Sequence, residues 1–118
     1  MELRLGGAQF DVPALVAEII EARRAGAGAE ELALGMHAAL ARASAGAAAA
    51  LADEHGITRV ALTGGVFQND LLARLTRAEL VKLGLDVLEH ERVPANDGGL
   101  ALGQALVAGR LAAIEGGE

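Results

Sequence analysis

Residues 57–113 read as strand, glycine-bearing loop, helix, strand, glycine-bearing loop and helix. First, Val60-Ala61-Leu62 enters "TGGVFQND", followed by Leu71, Leu72, Leu75 and Ala78 at helical spacing and a stop at Gly84. Then Leu85 to His90 enters "RVPANDGG", and a last helix is expected over about residues 98–113. Two strands separated by a helix pair in parallel, through a right-handed crossover. Their carboxyl ends, and so both glycine loops, then share one sheet edge. The unbroken apolar run of the first strand predicts cover on both faces.

That edge is where open α/β sheets hold ligands. Adjacent glycines are costly in backbone entropy, so Gly64-Gly65 implies a tight turn or close approach to a ligand. Gly65 is the expected backbone-critical position. Free N–H groups and positive helix ends at this edge favour phosphate or another anion. Asn69 and Asp97 each stand where a helix N-cap is expected. Asp97 could instead hold a divalent cation. Neither a P-loop nor G-x-G-x-x-G is present. Thr63 reads equally as a strand-end residue or a hydroxyl donor to ligand, and Phe67 as a plug under the loop. Among the histidines, His37 suits a surface or packing role and His55 a helix end. His90 alone falls close to the Asp97 loop. No histidines show metal-ligand spacing, and no set of residues forms self-contained catalytic machinery.

Upstream, residues 2–12 alternate around Gly6-Gly7, as in a hairpin with a two-residue turn. Asp11 and Pro13 open a helix whose stripe is Val12, Leu15, Val16, Ile19 and Ile20. A long alanine-rich helix follows over about residues 30–54, with Leu32, Met36, Leu40, Ala43, Ala47 and Leu51 at helical period. Gly35 and Gly46 lie inside it, and close packing is the expected compensation. His55-Gly56 ends it. No repeat or linker divides the chain, so residues 1–118 form one domain.

Alanine supplies much of the 53% hydrophobic content, and aromatics are only 2%. Such a core packs through small side chains. The net charge of −6, without a basic run longer than Arg23-Arg24, argues against nucleic-acid binding. The absence of cysteine excludes disulfides, zinc-thiolate sites and thiol catalysis. No signal peptide or membrane span is read in the sequence, and a cytoplasmic protein is expected.

"VALTGGVFQNDLLARL" followed by "LGLDVLEHERVPANDGGLALGQALVA" resembles the C-terminal end of the HypF carbamoyltransferases of [NiFe] hydrogenase maturation. The likeness extends upstream from "FDVPALV" through "MHAALARA", covering nearly the whole chain. The chain departs at Thr63, usually Ser in the family, and at Ala95, often Pro. The resemblance implies an α/β fold: the C-terminal lobe of a TsaD-like domain in the sugar kinase, chaperone and actin (ribonuclease H-like) superfold. Here it comprises an N-terminal β-hairpin, a long Ala-rich helix and a βαβα unit.

HypF enzymes are long and carry acylphosphatase-like, zinc-finger and YrdC-like modules. They use carbamoyl phosphate and ATP to form carbamoyl-adenylate. The carbamoyl group passes to a HypE cysteine and becomes the cyanide ligand of iron. By motif match, Gly64, Gly65 and Asn69 would contact nucleotide. Asp97 would join a metal–phosphate site bordered by Gly98 and Gly99. The resemblance thus implies ATP or carbamoyl-adenylate and a divalent metal in the full-length context, with neither expected to bind tightly here alone. The other lobe's metal-binding histidine pair is absent, so no catalytic residue is assigned to the isolated chain. Expected partners are the remaining HypF domains and a HypE-like acceptor, with a homodimer when the chain is alone. The alternatives are a stand-alone module that completes a site with a separate chain, and a structural fragment without ligand.

Overall fold

The computed structural model describes residues 5, 6 and 9–115. Leu5–Gly6 (β1) and Gln9–Phe10 (β2) pair antiparallel, with Leu5 opposite Phe10 and Gly6 opposite Gln9. The expected hairpin is therefore present. Gly6 belongs to its first strand instead of its turn, and Gly7 lies outside the described residues.

Helix α1 spans Val12–Arg24. Asp11 caps it by accepting from the Ala14 N–H at 3.1 Å, and Pro13 sits in its first turn. Only Leu15 of the expected stripe is buried; Ile19 is half-buried, while Val12, Val16 and Ile20 are exposed. A single neighbouring helix covers a narrow band, and Leu15 meets Ala39 and Ala43 there.

Helix α2 spans Ala29–His55 and is about 40 Å long. It ends at Gly56, whose left-handed backbone (φ 64°) lets the Ile57 N–H reach the Ala52 carbonyl at 2.8 Å. Its buried residues are all alanines: Ala39, Ala41, Ala43, Ala45 and Ala52. Met36 and Leu51, expected inward, are exposed. The small side chains form the packing seams, because they let neighbouring elements approach closely. Gly46 also departs from expectation. A Cβ built there meets nothing within 4 Å, so no close packing accounts for it.

Arg59–Ala61 (β3) and Asp86–Leu88 (β4) pair in parallel, with Val60 opposite Val87. Between them, Asp70–Lys82 (α3) buries Leu72, Thr76 and Leu80 at four-residue spacing. Ala78, expected inward, is exposed. Ala45, Leu62 and Leu80 form the second core cluster, with Val60, Phe67, Leu85 and Val87 packed against it. Phe67 thus plugs the loop from beneath, as expected. The sheet is covered on this face alone: Arg59, Ala61, Asp86 and Leu88 on the other are exposed. The apolar run did not reveal this, because Ala61 is apolar without being buried.

The last helix, α4, spans Leu100–Glu115. Leu100, Leu102, Leu106, Val107, Leu111 and Ile114 are all at least half exposed. The molecule is correspondingly elongated, at 69 × 31 × 23 Å. The fold is mixed α/β, mostly helical, with a hairpin and a two-stranded parallel sheet. Among the described residues no helix is long and apolar enough to cross a membrane.

Candidate functional site

The parallel pairing brings both glycine loops to one edge. The Gly64 N–H donates to the Ala95 carbonyl at 2.7 Å, tying the loops together. Beyond β3 the chain turns through Gly64 (φ +99°, ψ 156°) into a 3-10 turn over Gly65–Gln68. Positive φ therefore falls on Gly64, and Gly65 does not share it. A Cβ on Gly65 would meet Asn96 Cβ at 3.9 Å, an ordinary contact.

The second loop ends in a 3-10 turn over Asp97–Gly99 that leads into α4. Its cap is Asn96, whose Oδ1 accepts from the Gly98 N–H at 2.9 Å. Asp97, expected at the cap, is the first residue of the turn and is exposed. A Cβ on Gly99 would lie 2.9 Å from Val93 Cγ1 and 3.0 Å from the Pro94 carbonyl oxygen. Gly98, where a Cβ would lie 3.0 Å from Asn96 Oδ1 and 3.1 Å from Pro94 Cγ, and Gly99 serve close packing of the loop on itself.

A cleft of about 540 Å³ opens between the loops and the start of α4. Thr63, Gly64, His90, Asn96, Asp97 and Gln104 supply its polar wall, and Val93, Pro94, Leu100 and Val107 its apolar one. The volume falls within the range of small-molecule sites. The structure thus gathers Gly64, Asp97 and Gly99 in one cleft, beside Thr63 and His90. Gly65 and Gly98 belong to the same loop junction. However, the N–H groups of Gly64, Gly98 and Gly99 all have partners within the loops.

Asn69 caps α3, accepting the Leu72 N–H on Oδ1 at 3.1 Å. Its amide nitrogen lies 2.9 Å from His37 Nε2. The His37 Nδ1 faces the Ala33 carbonyl at 2.7 Å. A carbonyl only accepts, so Nδ1 carries the proton and Nε2 accepts from Asn69. His37 therefore anchors the first glycine loop to α2, a link across 32 residues that no local pattern signals. At the cleft, His90 Nε2 lies 2.9 Å from Thr63 Oγ1. Each residue follows one of the two strands, so the shared edge is the signal that could have paired them.

Among the described residues no three His, Asp or Glu side chains group as a metal site. Among the described residues Asp97 is a single carboxylate, which takes part in a divalent-cation site only with further ligands from elsewhere.

Two strand–loop–helix units facing one edge, with a half-open cleft between their loops, define an α/β lobe. Residues 1–104 match the family model described as carbamoyltransferase, Kae1-like domain, second subdomain, and the chain belongs to that family, within the C-terminal region of the HypF carbamoyltransferases. It is 48% identical over 92 residues to the carbamoyltransferase HypF of Rhodobacter capsulatus, covering 78% of this chain and 12% of that one. It is 49% identical over 74 residues to a carbamoyltransferase HypF homolog of Cupriavidus necator, covering 63% of this chain and 19% of that one. The crystal structure of T. kodakarensis HypF superposes with a TM-score of 0.83 at 35% identity, over 98% of this chain and 15% of that one. A full-length HypF in its phosphate- and nucleotide-bound form gives 0.84 at 30% identity, over 95% and 15%. The chain thus spans under a fifth of the length of these relatives.

Proposed function

We propose that this lobe forms one wall of an ATP or carbamoyl-adenylate site in a HypF-like carbamoyltransferase acting in hydrogenase maturation in the cytoplasm. The observation that carries the reading is the superposition on a nucleotide-bound HypF, with a 540 Å³ cleft at the junction of the two glycine loops. Gly64, Gly65, Gly98 and Gly99 shape the nucleotide-facing loops, chiefly by setting the backbone. Asn69 keeps one amide hydrogen and one Oδ1 lone pair beyond its bonds to His37 and Leu72, and contributes them to nucleotide. Asp97 supplies one carboxylate to a divalent metal whose other ligands come from outside this chain. The lobe belongs to the sugar kinase, chaperone and actin superfold, whose nucleotide lies between two lobes.

A site with one wall positions a ligand on one side only, and catalysis needs groups fixed on both. The chain alone therefore does not turn over. Its partners are the remaining HypF domains, in the same or a separate chain, and through them a HypE-like carbamoyl acceptor. The bare apolar surface of α4 favours docking of this kind. The test is carbamoyl-phosphate-dependent ATP cleavage. It should be absent with this chain alone and appear when the chain is added to a HypF-like enzyme lacking its last lobe. Turnover by the chain alone, or no gain on addition, would refute the proposal.

A further inference from the structure

His37 extends a stripe that runs along α2 at four-residue spacing through Ala41 and Ala45. Both alanines are fully buried, and Ala45 packs on Leu62 and Leu80 beside the start of the first glycine loop. His37 is half-buried and holds that loop through a directional bond. Three hydrogen bonds there run in one direction. The Leu72 N–H donates to Asn69 Oδ1 at 3.1 Å, the Asn69 amide donates to His37 Nε2 at 2.9 Å, and His37 Nδ1 donates to the Ala33 carbonyl at 2.7 Å. This order needs an imidazole with a single proton, on Nδ1. A second proton, on Nε2, sets an N–H against the N–H of Asn69.

The amide then has two ways out. Turning over presents Oδ1 to the ring, but it also points the amide N–H groups at the Leu72 N–H. That N–H is one of the first four of α3 and has no carbonyl partner within the helix. Turning over also keeps an imidazolium against the positive end of α3. Letting go costs less. Asn69 is exposed, so water replaces the ring, and the cap on Leu72 stays made.

We propose that His37 and Asn69 form a proton-sensitive clamp: the neutral ring holds the first glycine loop on α2, and protonation of Nε2 releases the loop while Asn69 continues to cap α3. The loop so released opens the cleft through Thr63 and Gly64, and the device does not depend on which ligand the cleft takes. Histidine is the side chain whose charge changes between about pH 5 and 8, which suits it to this role. Other charged groups stand on the elements that meet here. On α3, Asp70 and Arg74 pair with each other at 3.2 Å, and α2 itself carries Glu30, Glu31 and Arg42. Helix α1, with Glu18, Glu21, Arg23 and Arg24, packs on the Ala39 and Ala43 side of α2. From the second loop, His90 faces Thr63 and Asp97 lines the cleft.

The experiment follows the chain by NMR from about pH 8 to about pH 5, unaltered and as His37→Phe and His37→Gln. The glutamine Oε1 accepts from the Asn69 amide and does not titrate, so it makes a clamp that cannot open. Phenylalanine makes one that cannot close. In the unaltered chain the Asn69 side-chain amide resonances should shift along the His37 ring titration, with the same midpoint. The heteronuclear NOE of residues 65–68 should fall at the acid end, while the Leu72 amide resonance holds. His37→Phe should show the low NOE throughout, and His37→Gln the high one. Asn69 resonances that stay fixed while His37 titrates overturn the clamp. So does a loop response shared by His37→Gln, which places its origin elsewhere, His90 included. A Leu72 resonance that shifts with Asn69 overturns the release, because the amide then turns over. An NOE in His37→Phe equal to that of the unaltered chain at alkaline pH shows that α2 does not hold the loop, and overturns the clamp as well. If His37→Phe fails to fold, the unaltered chain and His37→Gln decide the question between them.

Discussion

Replacing Gly64 by alanine isolates what the first loop demands of its backbone. At φ +99° and ψ 156°, Gly64 occupies a region that residues with a Cβ rarely adopt. Nothing lies within 4 Å of a Cβ built there, so the cost is conformational and not a clash. Holding alanine in that region costs about 1–3 kcal/mol. If the backbone relaxes instead, the 2.7 Å bond from the Gly64 N–H to Ala95 is lost, for about 1 kcal/mol. The two are alternatives, so the expected destabilisation is about 1–3 kcal/mol. With a urea slope of about 2 kcal/mol/M, the unfolding midpoint falls by about 0.5–1.5 M. Gly65→Ala is the internal control. Its φ is not positive and its Cβ would make an ordinary contact, so the midpoint should hold or rise slightly. Urea unfolding followed by circular dichroism reads both. A Gly64→Ala midpoint equal to wild type, or an equal loss in both variants, would refute the assignment of the strained turn to Gly64.

Gly46→Ala should stabilise the chain by about 1 kcal/mol, since the new methyl enters open space on a helix; a lower unfolding midpoint would show that the position is covered. Asn69→Ala removes the α3 cap and should cost about 1–2 kcal/mol in the same assay, while His37→Phe, which spares the cap, should cost less. Leu80→Ala, at 1% exposure in a core with few large side chains, should cost about 2–5 kcal/mol and leave little folded protein. The chain alone should self-associate through α4; sedimentation equilibrium at tens of micromolar should give a dimer that Leu106→Asp with Leu111→Asp converts to monomer, and a monomer of 11.9 kDa for the unaltered chain would rule this out.

What the sequence revealed and what it hid follow one division. Periodicity and punctuation are local, and they located the four helices, the hairpin and the parallel pair. Parallel pairing then carried the two loops to one edge without further information. Side-chain partners 27 and 32 residues apart depend on the final packing, so Thr63–His90 and Asn69–His37 had no local signature. The fate of the glycine N–H groups was hidden for the same reason: Gly64 reaches Ala95 only once the loops meet. Which glycine takes positive φ was also undetermined, since two adjacent glycines each permit the turn. Hydropathy misjudged α2, where alanine and leucine both count as apolar but the seams need the smaller residue. That is why Ala41 and Ala45 are fully buried and Leu51 is 57% exposed.

The remaining disagreements share a direction, because each concerns surface expected to be covered that is bare. Ala61 and Leu88 face outward from a sheet with one covered face, and α4 carries large apolar side chains with only its first turns beside the second loop. A helix this apolar around its circumference suits burial on more than one side. Exposed apolar area carries a hydration cost of about 25 cal/mol for each Å² that a partner could remove. The superpositions cover 98% and 95% of this chain and 15% of each relative, so relatives keep this arrangement within chains more than six times as long. The same geometry accounts for the cleft. It is walled by loops on one side, opens beside the bare helix, and among the described residues is lined by no Lys or Arg. A partner that covers α4 would therefore stand next to the open side of the cleft, where it could supply both the missing wall and the missing charge.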